Sequence, residues 1–436
     1  MTEILPFEAV TYDPSRVSLN DVVVLPYDKI DEEARARYLE RDPYNLVRIS
    51  LPDIEEGEER YHKAAEMYRA WRDEGIFRRD ERPGLHLYHQ LFEYKGRGYT
   101  RKGFVARVRV EDPVSGDILG HEKTFRGPVA DRLALLSAMR VHLGQIFLLY
   151  DDPEGELDSI LNSCLDPGVP PRLQAIESSG EVHRLWTVGD RDVHAQVSRF
   201  FQSTPLTIAD GHHRYQTAWE FMNRGGGPAH VMATLVSFQD AGLMVLPAHR
   251  LVLEKGLPPI DRIREILEPI VEFRPYPFGD PISRDRARQE LEEDVRIESY
   301  RTPTFGLALG GENSFWLLKV RDPKQVVSHI AGKESSEWKS LGVVLLHRLV
   351  LEEGLGLDSS EIDAGGVVDY VREASRAVDE VIEGNAGACV LTSSTRVEQV
   401  RDLSQRRERM PHKSTDFFPK LLAGMVLDEF DGVRST

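Results

Sequence analysis

Five consecutive residues near the middle of the chain carry the side-chain types that bind phosphate groups, and they are Asp210, Gly211, His212, His213 and Arg214. Residues 205–209 before them have the pattern of a short strand, and residues 212–222 after them favour a helix. The first turn of a helix directs unpaired backbone N–H groups and the positive end of the helix dipole at one point. The sequence therefore predicts an anion site at a strand–turn–helix junction.

Each of the five residues has a predicted role in that site. Gly211 allows a tight turn and a close approach to the backbone, and Arg214 offers a bidentate fork to a phosphate. His212 and His213 can donate hydrogen bonds or protons, and Asp210 can orient an imidazole or hold a metal. In the alternative interpretation, Asp210 caps the helix and the histidines are polar surface groups. Adjacent helical histidines point about 100° apart, so we expect no dedicated transition-metal site.

The composition bounds the class of protein. A chain of 436 residues with a formal net charge of −17 has no basic face for nucleic acid or anionic lipid, so we expect no such partner. Two cysteines, Cys164 and Cys389, exclude a disulfide framework and favour a reducing compartment. No targeting segment and no apolar stretch of membrane-spanning length is evident, which predicts a cytoplasmic location. The oligomeric state is left open.

Hydrophobic periodicity predicts an α+β fold in three parts: an N-terminal segment at 1–100, a core at 101–254 and a C-terminal α/β domain at 255–436. Helical spacing is found in four stretches, at 59–74, 129–141, 261–268 and 284–293. Strand patterns are found at 85–92, 103–110, 145–150, 230–238, 243–246, 304–309 and 314–320. The anion site thus lies in the predicted core.

The run from Ile208 to Ala218 resembles the signature of the domain-of-unknown-function family ten-fifteen. The resemblance extends over nearly the whole chain, through short islands in the same order. These islands are Leu25 to Asp28, Asp42 to Asn45, Leu87 to Gln90, His121 to Thr124, Gly242 to Arg250 and Met410 to Lys420. Two residues depart from the sequence pattern of that family: Gln216 lies where glutamate is common, and Asp416 lies where an aromatic residue is common.

The shorter Asp-Gly-His-His-Arg stretch also resembles the ParB/sulfiredoxin-like fold that includes free serine kinases. In those kinases a strand, a catalytic glutamate, a helix and a second strand precede the turn. Residues 118–122, the helix from Val129 and the strand at 145–150 follow the same order, so Glu122 matches the catalytic glutamate. About fifty residues between Asp151 and Gln202 interrupt the correspondence. The implied fold is a ParB/sulfiredoxin-like mixed α/β core with flanking α/β segments.

This resemblance implies phosphoryl transfer from ATP, ADP or pyrophosphate to a small hydroxyl compound, with free L-serine as the leading acceptor. Glu122 would accept the hydroxyl proton. His212, His213 and Arg214 would neutralise the phosphoryl group, with Mg²⁺ held by the phosphates and Asp210. Lys123 and Thr124, beside Glu122, would contact the donor. In the alternative interpretation, residues 121–124 form a solvated turn.

A further cationic cluster near the C-terminus contains Lys413, Ser414, Thr415 and Lys420. Two lysines and two hydroxyls could form an anion-binding site, and the alternative interpretation is an ordinary basic tail. Near the N-terminus, three residues are candidates for binding the ammonium or carboxylate of an amino acid, and they are Tyr27, Asp28 and Asn45. His249 and Arg250 are interpreted as the polar rim at the end of a strand.

Other functions also fit these residues. The same phosphate site could serve a kinase for another small alcohol, or a phosphatase. In a third hypothesis, the protein is a non-catalytic, nucleotide-sensing ParB-like protein. A helix-turn-helix or a basic tail would favour that hypothesis, and neither is evident in the sequence.

Overall fold

A computed structural model of the protein describes residues 2–53, 57–122, 126–166, 168–411 and 413–430. The chain divides into two compact units. The first unit comprises residues 1–120, 124–244 and 417–436, and the second comprises residues 121–123 and 245–416. The three-part division predicted from the sequence stays a prediction, and each unit is described by itself below.

Strands of the first unit vary from two to thirteen residues. They are β1 (Ile4–Leu5), β2 (Val10–Tyr12), β3 (Phe77–Arg79), β4 (Leu85–Tyr94), β5 (Arg97–Arg109), β6 (Ile118–Gly120), β7 (Val141–His142), β8 (Ile146–Tyr150), β9 (Leu173–Ile176), β10 (Val182–Val188), β11 (Leu206–Asp210), β12 (His230–Ser237), β20 (Phe417–Phe418) and β21 (Asp428–Glu429). The short strand β13 (Met244–Val245) lies at the boundary of the two units.

Helices of the first unit are α1 (Leu19–Val22), α2 (Glu32–Arg41), α3 (Val47–Ser50), α4 (Glu59–Asp73), α5 (Arg126–Met139), α6 (Glu156–Ser163), α7 (Arg191–Phe200) and α8 (His212–Asn223). A 3₁₀ turn is formed by Tyr27–Lys29. The helix predicted at 59–74 is confirmed by α4, and the one predicted at 129–141 is confirmed by α5, which begins three residues earlier.

Within the described residues, the main sheet of the first unit has nine strands in the order β6-β11-β8-β12-β5-β4-β10-β9, with β1 paired to β5. The sheet is mixed, because β6 runs parallel to β11 and β8 runs parallel to β12, whereas the other neighbours are antiparallel. The parallel pairing places the end of β6 beside the end of β11, with Gly120 opposite Ile208.

The centre of this sheet is the core of the first unit. Phe104, Leu148 and Leu235 are each 0% exposed and belong to one hydrophobic cluster. Burying a side chain of this size contributes about 2 to 3 kcal/mol. The near-continuous apolar run at 145–150, read from the sequence as a buried strand, is confirmed as β8, which has buried residues on both faces.

The fifty-residue interruption of the serine-kinase order is a folded extension of the same sheet. It contains α6, β9, β10 and α7, and β10 pairs antiparallel with β4 along seven residues. The Tyr88 hydroxyl lies 2.7 Å from His183 Nδ1, which joins the extension to β4. The insertion therefore adds two strands at one edge and leaves the order of β6, β11 and β8 intact.

The second unit contains a separate sheet of antiparallel strands in the order β15-β17-β16-β19-β14-β18. These strands are β14 (His249–Val252), β15 (Val271–Pro277), β16 (Thr304–Leu309), β17 (Ser314–Val320), β18 (Val368–Val371) and β19 (Ala388–Leu391). Its helices are α9 (Ile260–Leu267), α10 (Pro281–Glu298), α11 (Pro323–His329), α12 (Ser336–Lys339), α13 (Gly342–Leu345), α14 (Ser359–Ala364), α15 (Ala374–Ile382) and α16 (Val397–Gln405), with a π-helical segment at Leu346–Gly354.

The strands predicted at 304–309 and 314–320 are confirmed as β16 and β17. The predicted mixture of helices and sheet is likewise confirmed, because both units combine the two. In the part of the chain that the structure describes, no helix is both long and apolar enough to cross a bilayer.

Candidate functional site

The predicted strand–turn–helix junction is present in the first unit. Strand β11 ends at Asp210, Gly211 turns the chain, and α8 begins at His212. The pairing of β11 with β8 shifts register between Ile208 and Asp210, as in a β-bulge. A bulge bends the strand and re-aims the side chains that follow, here those of the turn.

Gly211 is required at the turn for two reasons. Its φ of +93° is a conformation that L side chains rarely adopt, and an added Cβ would lie 3.1 Å from three guanidinium atoms of Arg214. A side chain at position 211 would therefore collide with Arg214, and the close approach of a ligand to Gly211 stays a prediction. The Gly211 N–H donates to Asp210 Oδ1 at 2.7 Å. Among the described residues, no side chain caps the first turn of α8, whose N-cap residue is Gly211, so the alternative interpretation of Asp210 as a helix cap is wrong.

Asp210 is the centre of a charged cluster. Its Oδ2 lies 3.3 Å from Lys420 Nζ, and its Oδ1 lies 3.7 Å from Arg214 Nη2. Burial acts to raise the pKa of Asp210, but the charges of Lys420, Arg214 and Lys29 outweigh that effect and hold the pKa well below its ordinary value. One carboxylate thus interacts with three cations, and the cluster has an excess of positive charge in a protein whose net charge is −17.

Lys420 is positioned by a hydrogen-bonded network that the sequence did not reveal. Its carbonyl accepts from Gln90 Nε2 at 2.8 Å. Arg101, which is 1% exposed, donates to the carbonyls of Phe418 at 3.1 Å and Pro419 at 2.5 Å, and its Nε donates to Gln90 Oε1 at 2.9 Å. Gln90 ends one of the islands shared with the family, which was the only signal of its importance.

A small, largely apolar cavity of about 90 Å³ borders the same turn. Its walls include Leu25, Leu136, Gln145 and Arg214. Arg214 Nη1 donates to the Gln145 carbonyl. The Gln145 side chain is 1% exposed, and neither its Oε1 nor its Nε2 has a hydrogen-bond partner among the described residues. A buried amide without partners is costly, so the cavity suits a ligand with one donor and one acceptor.

The two histidines of the turn differ in exposure. His212 is 9% exposed and borders the end of β6, because a Cβ added to Gly120 would lie 3.4 Å from His212 Cδ2. His213 is partly exposed, and its carbonyl accepts from Thr217 Oγ1 at 2.8 Å. The two side chains therefore have different environments, and their roles in phosphate binding stay predictions.

Of the three residues predicted to bind an amino acid, the structure places one beside the turn. Tyr27 borders the cavity described above; burial and Asp28 raise its pKa, and Arg214 opposes them. Asp28 is exposed. Asn45 is 0% exposed, its Nδ2 donates to the Asp21 carbonyl at 2.6 Å and its Oδ1 accepts from a backbone N–H. We assign Asn45 a structural role, because its amide is buried and hydrogen-bonded to backbone.

Glu122 and Thr415, 293 positions apart in the chain, meet within the second unit. Thr415 Oγ1 lies 3.5 Å from Glu122 Oε1 and 2.9 Å from His121 Nε2. The His121 carbonyl accepts from the Met410 N–H at 2.7 Å. Two motifs that the sequence predicted separately are therefore in contact: residues 121–122 of the first and residues 410 and 415 near the C-terminus. Lys123 and Thr124 lie outside the described residues.

The remaining residues of the C-terminal motif make hydrogen bonds within the second unit. Ser414 is 7% exposed, and its hydroxyl donates to the Pro411 carbonyl at 2.6 Å. The carbonyl of Lys413 accepts from Arg250 at 3.4 Å. Asp416, which departs from the family pattern, pairs with Arg372 through Nη2 at 2.9 Å. Lys420 alone of these predicted residues belongs to the first unit, where it contacts Asp210.

The fit of Mg²⁺ to Asp210 is poor. The carboxylate already pairs with Lys420 and Arg214, and the described residues contain no group of three or more metal-ligating side chains. Mg²⁺ binds proteins through one or two carboxylates together with substrate phosphates, so a cation here would depend on the phosphates of a ligand. No step below is derived through it.

Comparison with known proteins gives the family. The chain belongs to the family described as "Protein of unknown function (DUF1015)", which matches residues 4–344 and confirms the resemblance seen in the sequence. No curated protein matches the chain.

The comparison with solved structures gives matches at low identity and low TM-score. A free serine kinase variant in complex with AMP is 13% identical over 72% of this chain and 88% of that chain, with a TM-score of 0.35. SbnI with a C-terminal truncation, from Staphylococcus aureus, is 9% identical over 73% and 85%, with a TM-score of 0.32. A conserved hypothetical protein from Pyrococcus furiosus is 14% identical over 70% and 90%, with a TM-score of 0.31.

Proposed function

We propose that this protein is a phosphotransferase that moves a phosphoryl group from ATP, ADP or pyrophosphate to the hydroxyl of a small molecule, with free L-serine as the leading acceptor. The observation that carries the proposal is the cluster at the β11–α8 turn, where Lys420 and Arg214 flank the one carboxylate of Asp210. Together with the first-turn amides of α8, this excess of positive charge suits a multiply charged phosphate.

The low pKa of Asp210 defines its role in the proposal. A carboxylate whose pKa lies well below its ordinary value stays ionised at neutral pH and is a poor proton acceptor. Asp210 therefore acts as an anchor that fixes Lys420 and Arg214 in place. These two cations neutralise charge on the transferring group, which is where most catalysis of phosphoryl transfer arises.

Glu122 keeps the role of proton acceptor in this proposal. The acceptor hydroxyl oxygen forms a bond to phosphorus, the bond from phosphorus to the leaving oxygen of the donor breaks, and the hydroxyl proton moves to the Glu122 carboxylate. One contact in the second unit supports this assignment: the Thr415 hydroxyl lies 3.5 Å from Glu122 Oε1, where it can donate a long hydrogen bond to the carboxylate. Proton acceptance of this kind contributes roughly a hundred- to ten-thousand-fold in rate.

Gln145 favours a nucleotide over pyrophosphate as the donor. Its buried amide offers one donor group and one acceptor group without partners to a cavity that Arg214 also borders. A heterocyclic base presents complementary groups on a flat apolar body, whereas pyrophosphate presents acceptors only. We accordingly propose that β6, α5, β8, β11 and α8 form a ParB/sulfiredoxin-like core that binds this donor.

Phosphorus NMR tests the proposed reaction directly. Purified protein is mixed with Mg²⁺, L-serine and each of ATP, ADP and pyrophosphate in turn, and the spectrum is followed for O-phosphoserine. We expect product with at least one nucleotide. Absence of phosphoserine with all three donors contradicts the serine kinase assignment, and release of phosphate from added phosphoserine would favour a phosphatase. Nucleotide binding without turnover on any small alcohol would favour a sensor.

A pair of variants separates the two roles. Glu122→Gln is expected to lower the turnover number by at least a hundred-fold while the affinity for the donor stays within about twofold. Lys420→Gln is expected to weaken donor binding. Lys63→Gln, at an exposed position of α4, is the matched control and should change neither quantity. Equal loss of folding in Glu122→Gln and Lys420→Gln would instead indicate that both residues are structural.

A further inference from the structure

The second unit encloses a polar cavity that the proposed function does not use. Its volume is about 260 Å³, far more than the roughly 10 to 15 Å³ that one water molecule requires. The cavity is lined by residues around the start of β14, the segment after β19, and the turn before α13. None of its described lining residues is an aspartate or a glutamate, although acidic residues number 72 in the chain.

A buried arginine forms part of the cavity wall. Arg250 is 2% exposed, which corrects its interpretation as a polar rim residue, and it lies at the second position of β14. Its guanidinium donates to the carbonyls of Ala248 and Lys413, lies 3.5 Å from His347 Nε2 and stacks on Tyr370 with its Cζ 5.0 Å from the ring centre.

The charge of Arg250 has no counter-ion among the residues of the second unit that the structure describes. Its Nε has no hydrogen-bond partner, and no carboxylate among the described residues pairs with it. Burial lowers the pKa of Arg250 to about 10, so the guanidinium still carries its charge at neutral pH. A buried cation without an anion is unfavourable, which leaves a bound anion as the missing partner.

The segment that connects β19 to α16 supplies further donors. Ser393 and Ser394 line the cavity, and each has a hydroxyl group that can donate a hydrogen bond. Gln399, in the first turn of α16, also lines it. Arg301 and Arg396 are exposed residues of the same lining and add two positive charges at the rim.

We propose that this cavity binds a small phosphate-bearing anion, either inorganic phosphate or a phosphomonoester. Donors come from three separate parts of the chain: Arg250 in β14, residues 393–399, and Arg301. A tetrahedral phosphate group offers oxygens in three directions, whereas a planar carboxylate offers two in one plane. The inference goes beyond the proposed function and depends on none of its residues.

Calorimetric titration of the full-length protein with inorganic phosphate tests this site. All titrations use protein that carries Lys420→Gln, because this substitution removes the phosphate site proposed for the first unit. We expect one phosphate per chain in this background, and a dissociation constant at least tenfold higher after Arg301→Gln and Arg396→Gln are added together. Adding Arg250→Met should remove the binding. Arg262→Gln, an exposed arginine of α9 outside the cavity, is the matched control and should change nothing.

Three results would overturn the proposal: no phosphate binding in the Lys420→Gln background, equal binding with and without the added arginine variants, or acetate binding as tightly as phosphate. If Arg250→Met does not fold, as judged by circular dichroism, the combined Arg301→Gln and Arg396→Gln variant alone tests the proposal. O-phosphoserine in place of phosphate distinguishes the two sources of the anion, because tighter binding of the ester indicates a phosphomonoester. Each of these outcomes can be interpreted even if the serine kinase assay fails, because none of them depends on kinase activity.

Discussion

Arg101 in the first unit and Arg250 in the second are both almost fully buried, and burial lowers the pKa of each to about 10. Both stack on an aromatic ring, Arg101 on Phe147 at 4.7 Å and Arg250 on Tyr370 at 5.0 Å. They differ in how their N–H groups are used. Every nitrogen of Arg101 donates a hydrogen bond, to Gln90 or to the carbonyls of residues 418 and 419. In Arg250, the Nε has no partner.

This difference separates a structural arginine from a candidate ligand-binding one. Burial and a lowered pKa are common to both residues, so neither property identifies a site. Complete hydrogen bonding shows that Arg101 fixes the segment that carries Lys420. Incomplete hydrogen bonding, a cavity and the lack of a carboxylate together point to a ligand for Arg250.

Arg101→Met should lower the free energy of unfolding by about 3 kcal/mol or more, because three acceptors, Gln90 Oε1 and the carbonyls of Phe418 and Pro419, lose their donor. Urea denaturation followed by circular dichroism measures the change. Arg97→Met, at an exposed position of the same strand, is the control. A loss below about 1 kcal/mol would show that Arg101 is not the residue that holds the C-terminal segment.

Asp428→Asn should remove the pH-dependent part of the stability that the paired Asp428 carboxylate contributes to the first unit. Burial acts to raise the pKa of Asp428, but hydrogen bonds from His142 and Arg107 outweigh it and lower the pKa to about 2. Since the folded value lies below the unfolded value of about 3.9, the carboxylate contributes roughly 2 to 3 kcal/mol above pH 4, and this is lost as the pH falls toward 2.

Unfolding free energies of the wild type and Asp428→Asn, measured from pH 7 down to pH 2, test this expectation. The difference should be largest at neutral pH and should shrink below about pH 4. Asp73→Asn, at an exposed position of α4, should show no such dependence. A difference that stays constant with pH would contradict the ionic role of Asp428.

Arg250→Met should have the smallest effect on stability, about 1 kcal/mol or less in the absence of phosphate, because removing an unpaired buried charge offsets the loss of two hydrogen bonds. The measurement is urea denaturation in a phosphate-free buffer. A loss as large as that of Arg101→Met would mean that Arg250 is structural, and the contrast between the two arginines would disappear.

Local patterns in the sequence predicted the turn well. A short apolar strand, Asp-Gly and a helix-forming run specify β11, Gly211 and α8 through interactions between near neighbours. The same holds for β16 and β17, whose bounds agree with the predicted ranges. The family resemblance also pointed to Lys420 and Thr415 as site residues, because both lie in a shared island.

Long-range partners could not be predicted in this way. The pairing of Lys420 with Asp210 joins residues 210 positions apart, and that of Thr415 with Glu122 joins residues 293 apart. The burial of Arg250 was not predicted, because a charged residue at the end of a strand is usually exposed. Contacts with Tyr370 and His347, both distant along the chain, cover it. The hydrogen bonds of the Asn45 amide could not be predicted either, because they are made to backbone groups that the sequence does not locate.

The central claim is that the β11–α8 turn binds the phosphates of the donor. Calorimetric titration of the wild type, Lys420→Gln and Lys63→Gln with ATP and with pyrophosphate tests it most directly. The account predicts at least tenfold weaker binding of both ligands to Lys420→Gln, and unchanged binding to Lys63→Gln. Equal affinities in all three proteins, with Lys420→Gln still folded, would contradict it.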